Sequence, residues 1–464
     1  MPPLGYREPM PDASIDSPTE ESSQKKQRGW LRWVWRILGA VLLLVALVLV
    51  VWSRNALYNR FVRFPREEAA LQAIRAQRQP VKNYTGWSEY RGILHAHSKY
   101  SHDSTVPLEE ILRVLKASRI DFVCLSDHPI AGRADFDLQW RGLREGKLFI
   151  PGFEMKDGMM PFGVASGVVL SNQTDSATLA KQIAANGGLL FYAHSEEPRD
   201  WERPELVGME IYNIHTDFKR DRNGLLWLLP DLLLSQRKYP EHVFRTLFTR
   251  PTDLLQRWDE LNRKGHITGV AGNDSHQNVG LQATCISSDT IRVTDTSPKG
   301  VRKFKLNWLT RSIAQMCFGP LEPGRELFHI QLDPYERSAR FVNTHVLTRF
   351  LSEPSVLDAL RAGRVFVGFD MIADSTGFSW MASTGTNHVV MGESMEFSPD
   401  VRLEAASPLP CRFTILKDGA LCAQQEGRAF DWAPPGRGKY RVEAELKIRR
   451  RWVPWVYANP IELR

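Results

Sequence analysis

The most apolar part of the chain is a run near its N-terminus. Residues 37–52 contain no charged side chain. Four tryptophans flank or end the run: Trp30, Trp33, Trp35 and Trp52. A helix of about 20 apolar residues spans the hydrocarbon core of a bilayer, and tryptophan is typical of the two interfaces. We predict a transmembrane helix over 33–53, with a polar tail (1–32) before it and a linker helix (54–84) after it.

A cleaved signal peptide is the alternative interpretation of this run. The long, partly acidic tail and the lack of a small-x-small pattern after Val51 favour a transmembrane helix. Basic residues lie on both sides of it: Lys25, Lys26, Arg28, Arg32 and Arg36 before, and Arg54, Arg60, Arg63 and Arg66 after. Because large trailing domains are translocated largely regardless of charge, we expect a single-pass cell-membrane protein with a cytoplasmic N-terminus and an extracytoplasmic body.

From about residue 85 the pattern changes to short apolar runs that alternate with helical stretches. This alternation predicts βα units, and hence an α/β fold with a parallel sheet or barrel over 85–370. An insert at about 216–264 interrupts it, and its apolar part (225–234) predicts core packing or, alternatively, a helix on the bilayer surface. Short strands and a Lys417-Asp418-Gly419 turn signal predict a small β-sandwich over 371–464.

Each apolar run of the body ends in polar side chains with a nitrogen or oxygen donor. They are His95 and His97, Asp127 and His128, Glu154, His194, Asn213, and Asp274 and His276. In a barrel of parallel strands the C-terminal strand ends meet on one face, so these side chains are expected to converge there. Imidazoles and carboxylates are ligands for divalent metals, and the pattern therefore predicts a metal centre.

The spacing within the motifs fits this interpretation. In an extended chain alternate side chains point the same way, so His95 and His97 can bind one ion, as can Asp274 and His276. The two oxygens of Glu154 can bridge two ions. A single histidine at a strand end is more often hydrogen-bonded or exposed than a ligand, but the combination favours a metal centre. The remaining strand-end acid, Asp127, is more typical of a structural carboxylate.

Five motifs carry a resemblance to a known family. They are HAHSKYSHDS (95–104), LSDHP (125–129), GFEM (152–155), YAHSEE (192–197) and GNDSH (272–276). In this order they resemble the polymerase and histidinol phosphatase (PHP) superfamily of metal-dependent phosphoesterases. The resemblance covers about 91–276, and 350–369 looks like a closing αβ unit. It implies a distorted (β/α)7 barrel with two or three divalent ions, namely Mn, Zn or Fe.

The resemblance also implies a ligand set. The first metal takes His95, His97, Glu154 and Asp274, the second Glu154 and His194, and the third Asp103, His128 and His276. The family usually has Cys or His where this chain has Asn213, and His215 follows two residues later, so either residue is a possible additional ligand of the second metal. His102 is the alternative to Asp103.

Metal-activated water would attack phosphorus or, in the alternative, a carbonyl carbon. Beside their ligand role, His194, His276 and Asp274 are the predicted catalytic residues, and His215 is a further candidate for protonating the leaving group. Basic residues that follow three motifs are candidates for binding an anionic substrate or, more commonly, surface charges: Arg133, Lys156 and Arg199. We expect a small ester substrate that is anionic or amphipathic.

Composition narrows the class of protein. The 464 residues are 43% hydrophobic and carry a net charge of +7, which excludes a disordered chain or a multi-span membrane protein. The basic residues form no stripe interleaved with aromatics, so nucleic acid is not an expected partner.

Five cysteines without a CxxC pair exclude a zinc finger, although Cys411 and Cys422 could bridge in an oxidising compartment. Five histidines outside the motifs are interpreted as ordinary: His242, His266, His329, His345 and His388.

Three functions remain open from the sequence. The first is a membrane-anchored, metal-dependent phosphoesterase. The second is hydrolysis of carbamate, carboxyl ester or amide bonds at the same ions, because the ending YANPIEL resembles the β-rich tail of PHP-domain metallohydrolases that cleave such bonds. The third is a catalytically inactive ligand-binding module, which the nearly complete ligand set argues against.

Overall fold

The computed structural model describes residues 20–81, 86–214, 216, 222–246, 248–295, 301–331, 333–385 and 387–464. Helix α1 (Glu20–Tyr58) continues through a π-helical turn (Asn59–Arg63) into α2 (Phe64–Arg75). The apolar residues 37–51 of α1 are exposed. By its length and composition, this helix is long and apolar enough to cross a membrane.

The base of this long helix is attached to the body. The Asn59 amide donates to both carboxylate oxygens of Asp231, at 3.1 and 3.0 Å. The Arg75 guanidinium donates to the backbone oxygens of Met371 and Ile372. The linker predicted over 54–84 is helical only as far as Arg75. Beyond it the chain bonds to the C-terminal strands, where the Gln79 N–H donates to the Pro408 oxygen, and residues 82–85 lie outside the described residues.

Ten strands and two helices make up the first part of the body. The strands are β1 (Ser88–Ala96), β2 (Phe122–Cys124), β3 (Arg133–Asp135), β4 (Gly142–Arg144), β5 (Lys147–Ile150), β6 (Met159–Phe162), β7 (Val169–Ser171), β8 (Leu189–Tyr192), β9 (Leu206–Asn213) and β10 (Thr268–Ser275). The helices are α3 (Leu108–Ala117) and α4 (Ser176–Ala185).

Six of these strands are parallel, in the order β5-β2-β1-β10-β9-β8. Strand β6 pairs antiparallel with β8, and its last residue Phe162 bridges Gly152, which lies just beyond β5. The strands are buried along nearly their whole length because helices cover them. One such contact packs Ile111 and Leu115 of α3 into a cluster with Ile93, Val123 and Phe149.

The described residues of the insert predicted at about 216–264 include three helices. They are α5 (Arg222–Ser235), α6 (Pro240–Arg245) and α7 (Thr252–Lys264). In the apolar run 225–234, Leu228 and Leu232 are buried, whereas Leu233 and Leu234 are exposed. The run therefore packs partly as core and partly faces outward. Helix α5 also lies against α1.

A second insert was not predicted from the sequence. It forms a four-stranded antiparallel sheet, in the order β13-β12-β11-β14, after β10. Its elements are β11 (Gly280–Ser287), β12 (Thr290–Asp295), β13 (Val301–Lys305), α8 (Trp308–Phe318) and β14 (Glu326–Gln331). Its strands are only partly buried. They therefore contain no long apolar run, and the sequence pattern did not distinguish them from loops.

The chain then returns to the main sheet. It does so through α9 (Tyr335–Phe341), β15 (Asn343–Thr348), α10 (Glu353–Ala362) and β16 (Val365–Gly368). Strand β15 pairs antiparallel with the first half of β1, and β16 pairs antiparallel with β15. The segment 350–369 therefore does form a helix and a strand, but that strand does not extend the parallel set.

Eight further strands complete the structure. They are β17 (Ser379–Thr384), β18 (Asn387–Val390), β19 (Ser394–Met395), β20 (Arg402–Lys417), β21 (Ala420–Trp432), β22 (Gly438–Ile448), β23 (Arg451–Ala458) and β24 (Ile461–Leu463). Pairing of β16 with β23 joins them to the body. The predicted turn is confirmed, since Asp418 and Gly419 have φ of 50° and 86° and connect β20 to β21. Cys411 and Cys422 are free thiols, so no disulfide joins them.

Candidate metal centre

All eight residues predicted as ligands meet at the C-terminal ends of the parallel strands. They form three overlapping groups: His95, His97 and Glu154; His95, His194 and Asp274; and His97, Asp103, His128 and His276. Within each group the ligand atoms lie within 4.8 Å of one another. A single pocket therefore contains the donors that one or more divalent ions would need.

Glu154 lies at the centre of the three groups. Its Oε2 atom is 3.1 Å from Nε2 of His95 and 3.6 Å from Nε2 of His97. The same oxygen is 3.6 Å from Nε2 of His128, while Oε1 is 3.3 Å from Nε2 of His194. The two oxygens of one carboxylate thus face different histidines, which is the arrangement that a bridging carboxylate requires.

Asp103 links the two histidines of the third group. Its Oδ2 atom is 3.4 Å from Nε2 of His128 and 3.4 Å from Nε2 of His276. The rings of His97 and His276 stack with centroids 3.8 Å apart. The neighbouring His102, the alternative to Asp103, is half exposed and its Nε2 lies 3.9 Å from Oδ2 of Asp103. His102 is absent from the groups found among the described residues.

The backbone at three strand ends adopts a left-handed conformation. The φ angles are 62° at His95, 48° at His194 and 46° at Asp274, which is uncommon for residues other than glycine. Between the pairs Leu94–Gly272 and Ala96–Ser275, strand β10 has one residue more than β1, which is a β-bulge. The simple alternation expected for His95 and His97 was therefore wrong in detail. Both rings reach the pocket, but His95 does so from a left-handed position.

Glu210 contributes to the pocket, although it was not predicted as a site residue. It is fully buried on β9, and its Oε1 atom lies 2.6 Å from Nδ1 of His95. Its Oε2 atom accepts from the backbone N–H of His194 at 2.8 Å. A Cβ atom on Gly272 would lie 2.1 Å from Oε1, so a residue without a side chain makes room for this carboxylate. The signal in the sequence was an acid within an otherwise apolar strand.

Glu196 is a second contributor that was missed. Its Oε1 atom lies 3.6 Å from Nδ1 of His194. Burial alone would raise the pKa of Glu196, but His194 and Thr216 beside it lower this pKa to about 2. The carboxylate is therefore charged and can orient the His194 ring. The YAHSEE motif contained this residue, but nothing in its spacing separated it from a surface acid.

The electrostatics of the pocket fit divalent cations. Burial opposes a charge on His95, yet Asp274, Glu210 and Glu154 hold its pKa well above the usual value. Burial and the nearby His276 instead lower the pKa of His97 to about 3, which keeps that ring neutral. Its buried Nε2 atom makes no hydrogen bond within the described part of the chain and lies 3.5 Å from Oδ1 of Asp274. A neutral imidazole nitrogen aimed at carboxylates in this way fits an ion between them.

Asp127 is structural, as its position predicted. Its Oδ1 accepts from the backbone N–H of Ser98, and its Oδ2 accepts from the Ser98 hydroxyl and from the Gln139 amide. It therefore holds the backbone next to His97, and among the described residues its carboxylate has no hydrogen bond to a ligand ring. The Asn213 amide donates to Oε2 of Glu210 at 2.9 Å, and His215 lies outside the described residues.

The three basic candidates differ in their surroundings. Arg199 donates to the Ala193 oxygen and approaches Glu197 at 3.1 Å, which commits its guanidinium to the loop that carries His194. Arg133 is exposed on β3, and Lys156 is half-buried beyond β5.

The chain has a weak similarity to solved structures. No family model and no curated protein matches the chain. Among solved structures, it is similar to the crystal structure of a two-domain protein containing a predicted PHP-like metal-dependent phosphoesterase from Bacteroides vulgatus ATCC 8482. The identity is 13%, the match covers 82% of this chain and 98% of that chain, and the TM-score is 0.34. At that similarity, functional inference depends on the pocket itself.

Proposed function

We propose that this protein is a membrane-anchored, metal-dependent hydrolase, and specifically a phosphoesterase with two or three divalent ions. One observation carries the proposal, namely that three histidine and carboxylate groups overlap, since the group of His95, His97 and Glu154 shares His97 with one of the other two groups and His95 with the other. Two or three ions held this closely are typical of centres that hydrolyse phosphate esters. The five motifs that resemble the PHP superfamily point to the same chemistry.

In this proposal each ligand would hold the metal predicted from its motif, and Glu154 would serve both the first and the second ion. Bound ions would supply Lewis acidity that makes water nucleophilic near neutral pH and stabilises negative charge on oxygen. The chain's own residues hold and orient the donors. Glu210 fixes the His95 ring by accepting from Nδ1. The charged Glu196 carboxylate lies 3.6 Å from Nδ1 of His194 and favours that ring orientation electrostatically.

Proton transfer is assigned to residues at the edge of the pocket. His194 and His276 are each about 10% exposed in their side chains, so both can reach a substrate that enters from solvent. We propose that they protonate the leaving group and that Asp274 supports them, since its Oδ1 lies 3.3 Å from Nδ1 of His276. Mn, Zn and Fe all accept this mixed nitrogen and oxygen donor set.

The finer architecture belongs to the same proposal. The ring of pairings β1-β2-β5-β6-β8-β9-β10 supports a distorted seven-stranded barrel, if the short Gly152–Phe162 bridge is counted as its closure. We assign 85–370 to the barrel and 371–464 to a β-sandwich domain. We further propose that α1 spans the cell membrane once, with the N-terminus cytoplasmic and the metal centre outside. The substrate is a small anionic or amphipathic ester and not a nucleic acid.

The test combines metal analysis with three model substrates. The full chain, purified in detergent, is expected to contain tightly bound divalent metal and to hydrolyse p-nitrophenyl phosphate or bis-p-nitrophenyl phosphate. His97→Ala and Asp274→Ala should lose metal and activity together while circular dichroism stays unchanged. His329→Ala is the matched control, because this exposed histidine lies outside the pocket.

Other results would select another function. Hydrolysis of a naphthyl carbamate alone would indicate a carbonyl substrate at the same ions. Metal-loaded protein that is inactive on all three substrates would indicate a ligand-binding module. Protein that binds no divalent metal would overturn the proposal, and protection of the body from protease in intact spheroplasts would reverse the orientation.

A further inference from the structure

Helix α8 of the second insert turns its apolar side chains away from the protein. Four of them are largely exposed: Trp308 (80%), Leu309 (50%), Ile313 (47%) and Met316 (81%). At 100° per residue these four fall on one side of the helix, and we call them the α8 apolar face. Ala314 is the one buried side chain of this helix. Helices of soluble proteins normally bury their apolar side, so this arrangement marks an interaction surface.

Basic residues accompany the α8 apolar face. Arg311 is exposed on α8 itself, and Arg302 is exposed on β13. Arg302 pairs with Val293, which packs against the cluster that contains Ala314, so Arg302 lies on the sheet face that α8 covers. Neither arginine forms an ion pair with a carboxylate in the part of the chain that the structure describes. Lys303 and Lys305 alternate with Arg302 and lie on the opposite face of the sheet. The insert thus combines an exposed tryptophan and aliphatic side chains with two arginines on the side of the sheet that α8 occupies.

We infer that the α8 apolar face lies on the surface of an anionic lipid bilayer, as a second membrane contact beside α1. An apolar helix face with arginine beside it inserts to the headgroup boundary, where the cations meet lipid phosphates. The charge also argues against a second copy of this chain as the occupant. Two copies packed through this face would bring two sets of these arginines together without compensation.

The insert is attached at the edge of the metal centre. Strand β11 begins four residues after His276, and the Asn278 amide donates to the backbone oxygen of Asp103 at 3.0 Å. At the other end of the insert, the Asp333 carboxylate accepts from the backbone N–H groups of Asn278 and Val279. Docking of α8 would therefore hold the metal centre close to the bilayer. The docking itself does not depend on the proposed hydrolytic activity.

Cysteine labelling can test this contact in the full chain. Cys317 on α8 and Cys422 on β21 are exposed, whereas Cys124, Cys285 and Cys411 are buried. Cys422→Ser leaves Cys317 for an environment-sensitive NBD dye. The labelled chain is reconstituted, one copy per disc, in nanodiscs of phosphatidylcholine and phosphatidylglycerol with nitroxide-labelled lipid. We expect at least about twofold stronger quenching by the lipid than for the matched control, Cys317→Ser labelled at Cys422.

Variants of the surface separate lipid docking from other causes. Arg302→Gln and Arg311→Gln should each weaken docking about fivefold in the anionic discs and have little effect in phosphatidylcholine alone, whereas Lys303→Gln, on the opposite face of the sheet, is the matched control and should leave docking unchanged. Trp308→Ser with Met316→Ser should abolish the quenching in both. Metal content and hydrolysis of a soluble ester should stay unchanged in all variants, which separates failure of this inference from failure of the proposed function.

Two results would overturn the inference. One is equal quenching at Cys317 and Cys422, with both dyes accessible to an aqueous quencher. The other is dye-to-dye energy transfer at Cys317 in discs that hold two copies, without lipid quenching, which would assign the α8 apolar face to self-association.

Discussion

Oε1 of Glu210 lies 2.6 Å from Nδ1 of His95, and both side chains are fully buried. The opposite ring nitrogen, Nε2, faces Glu154 at 3.1 Å and Asp274 at 3.2 Å. A carboxylate on one side of an imidazole fixes which nitrogen carries the proton and orients the other toward a metal. Glu210 therefore orients the His95 ring from the side opposite to the nitrogen that faces the predicted metal.

Glu210→Gln is expected to weaken metal binding by roughly 10–100-fold, because the amide can no longer act as a charged acceptor for Nδ1 of His95. Metal content after dialysis against a chelator series measures this loss. Asp259→Asn is the matched control. That buried carboxylate accepts from Arg441 at 2.6 and 2.7 Å, far from the pocket, and its loss should reduce stability but leave metal affinity unchanged. Equal metal affinity in Glu210→Gln and the parent would refute the role given to Glu210.

Gly272→Ala should reproduce much of this effect without touching a charged group. The added Cβ would lie 2.1 Å from Oε1 of Glu210 and would force this carboxylate away from His95. We expect weaker metal binding and a loss of about 1–3 kcal/mol in the free energy of unfolding. Gly265→Ala is the control, since nothing lies within 4 Å of its added Cβ. A metal affinity equal to that of the control would contradict the proposed geometry.

The three groups predict different losses of metal for different ligands. Asp103 belongs to one group only, the one with His97, His128 and His276, so Asp103→Asn should lower the bound metal by about one ion and leave the rest. Asp274→Asn acts on the group with His95 and His194 and should remove more. Inductively coupled plasma mass spectrometry counts the ions. His102→Gln tests the alternative ligand, and a loss of metal in that variant instead of Asp103→Asn would reverse the assignment.

Stability should fall at alkaline pH because of His345, which lies outside the motifs. Its Nδ1 atom is 2.6 Å from Glu89 and its Nε2 atom 2.9 Å from Asp370. Burial opposes its charge, but the two carboxylates raise its pKa from 6.5 to about 9. The folded state therefore binds this proton more tightly than the unfolded state. Its contribution is complete below about pH 6.5 and is lost as the pH rises through about 9.

The apparent melting temperature of the detergent-solubilised chain, measured with a chelator from pH 6 to 10, should show this loss. His345→Gln should be less stable at pH 6 by up to roughly 3 kcal/mol and should decline less than the parent between pH 6.5 and 9. A decline of the same size in His345→Gln would assign the pH dependence to other groups. His388→Gln, in an exposed strand, should behave as the parent.

Much of the pocket was predictable because its signals are local. An apolar run followed by His, Asp or Glu can be read within ten residues, as at β1 with His95 and at β8 with His194. The second insert was missed because its strands are only partly buried and α8 turns its apolar side outward. The antiparallel placement of β15 and β16 was missed because an apolar run looks the same in both orientations.

The sequence by itself determined the donor types, their order along the chain and the apolar N-terminal helix, since each depends on neighbouring residues. Only the tertiary structure decided that Glu210 meets His95, a residue 115 positions away. Such contacts depend on the register of β9, β10 and β1 and on a bulge that adds one residue. A shift of one residue in a strand turns every side chain to the opposite face, and no local pattern specifies that register.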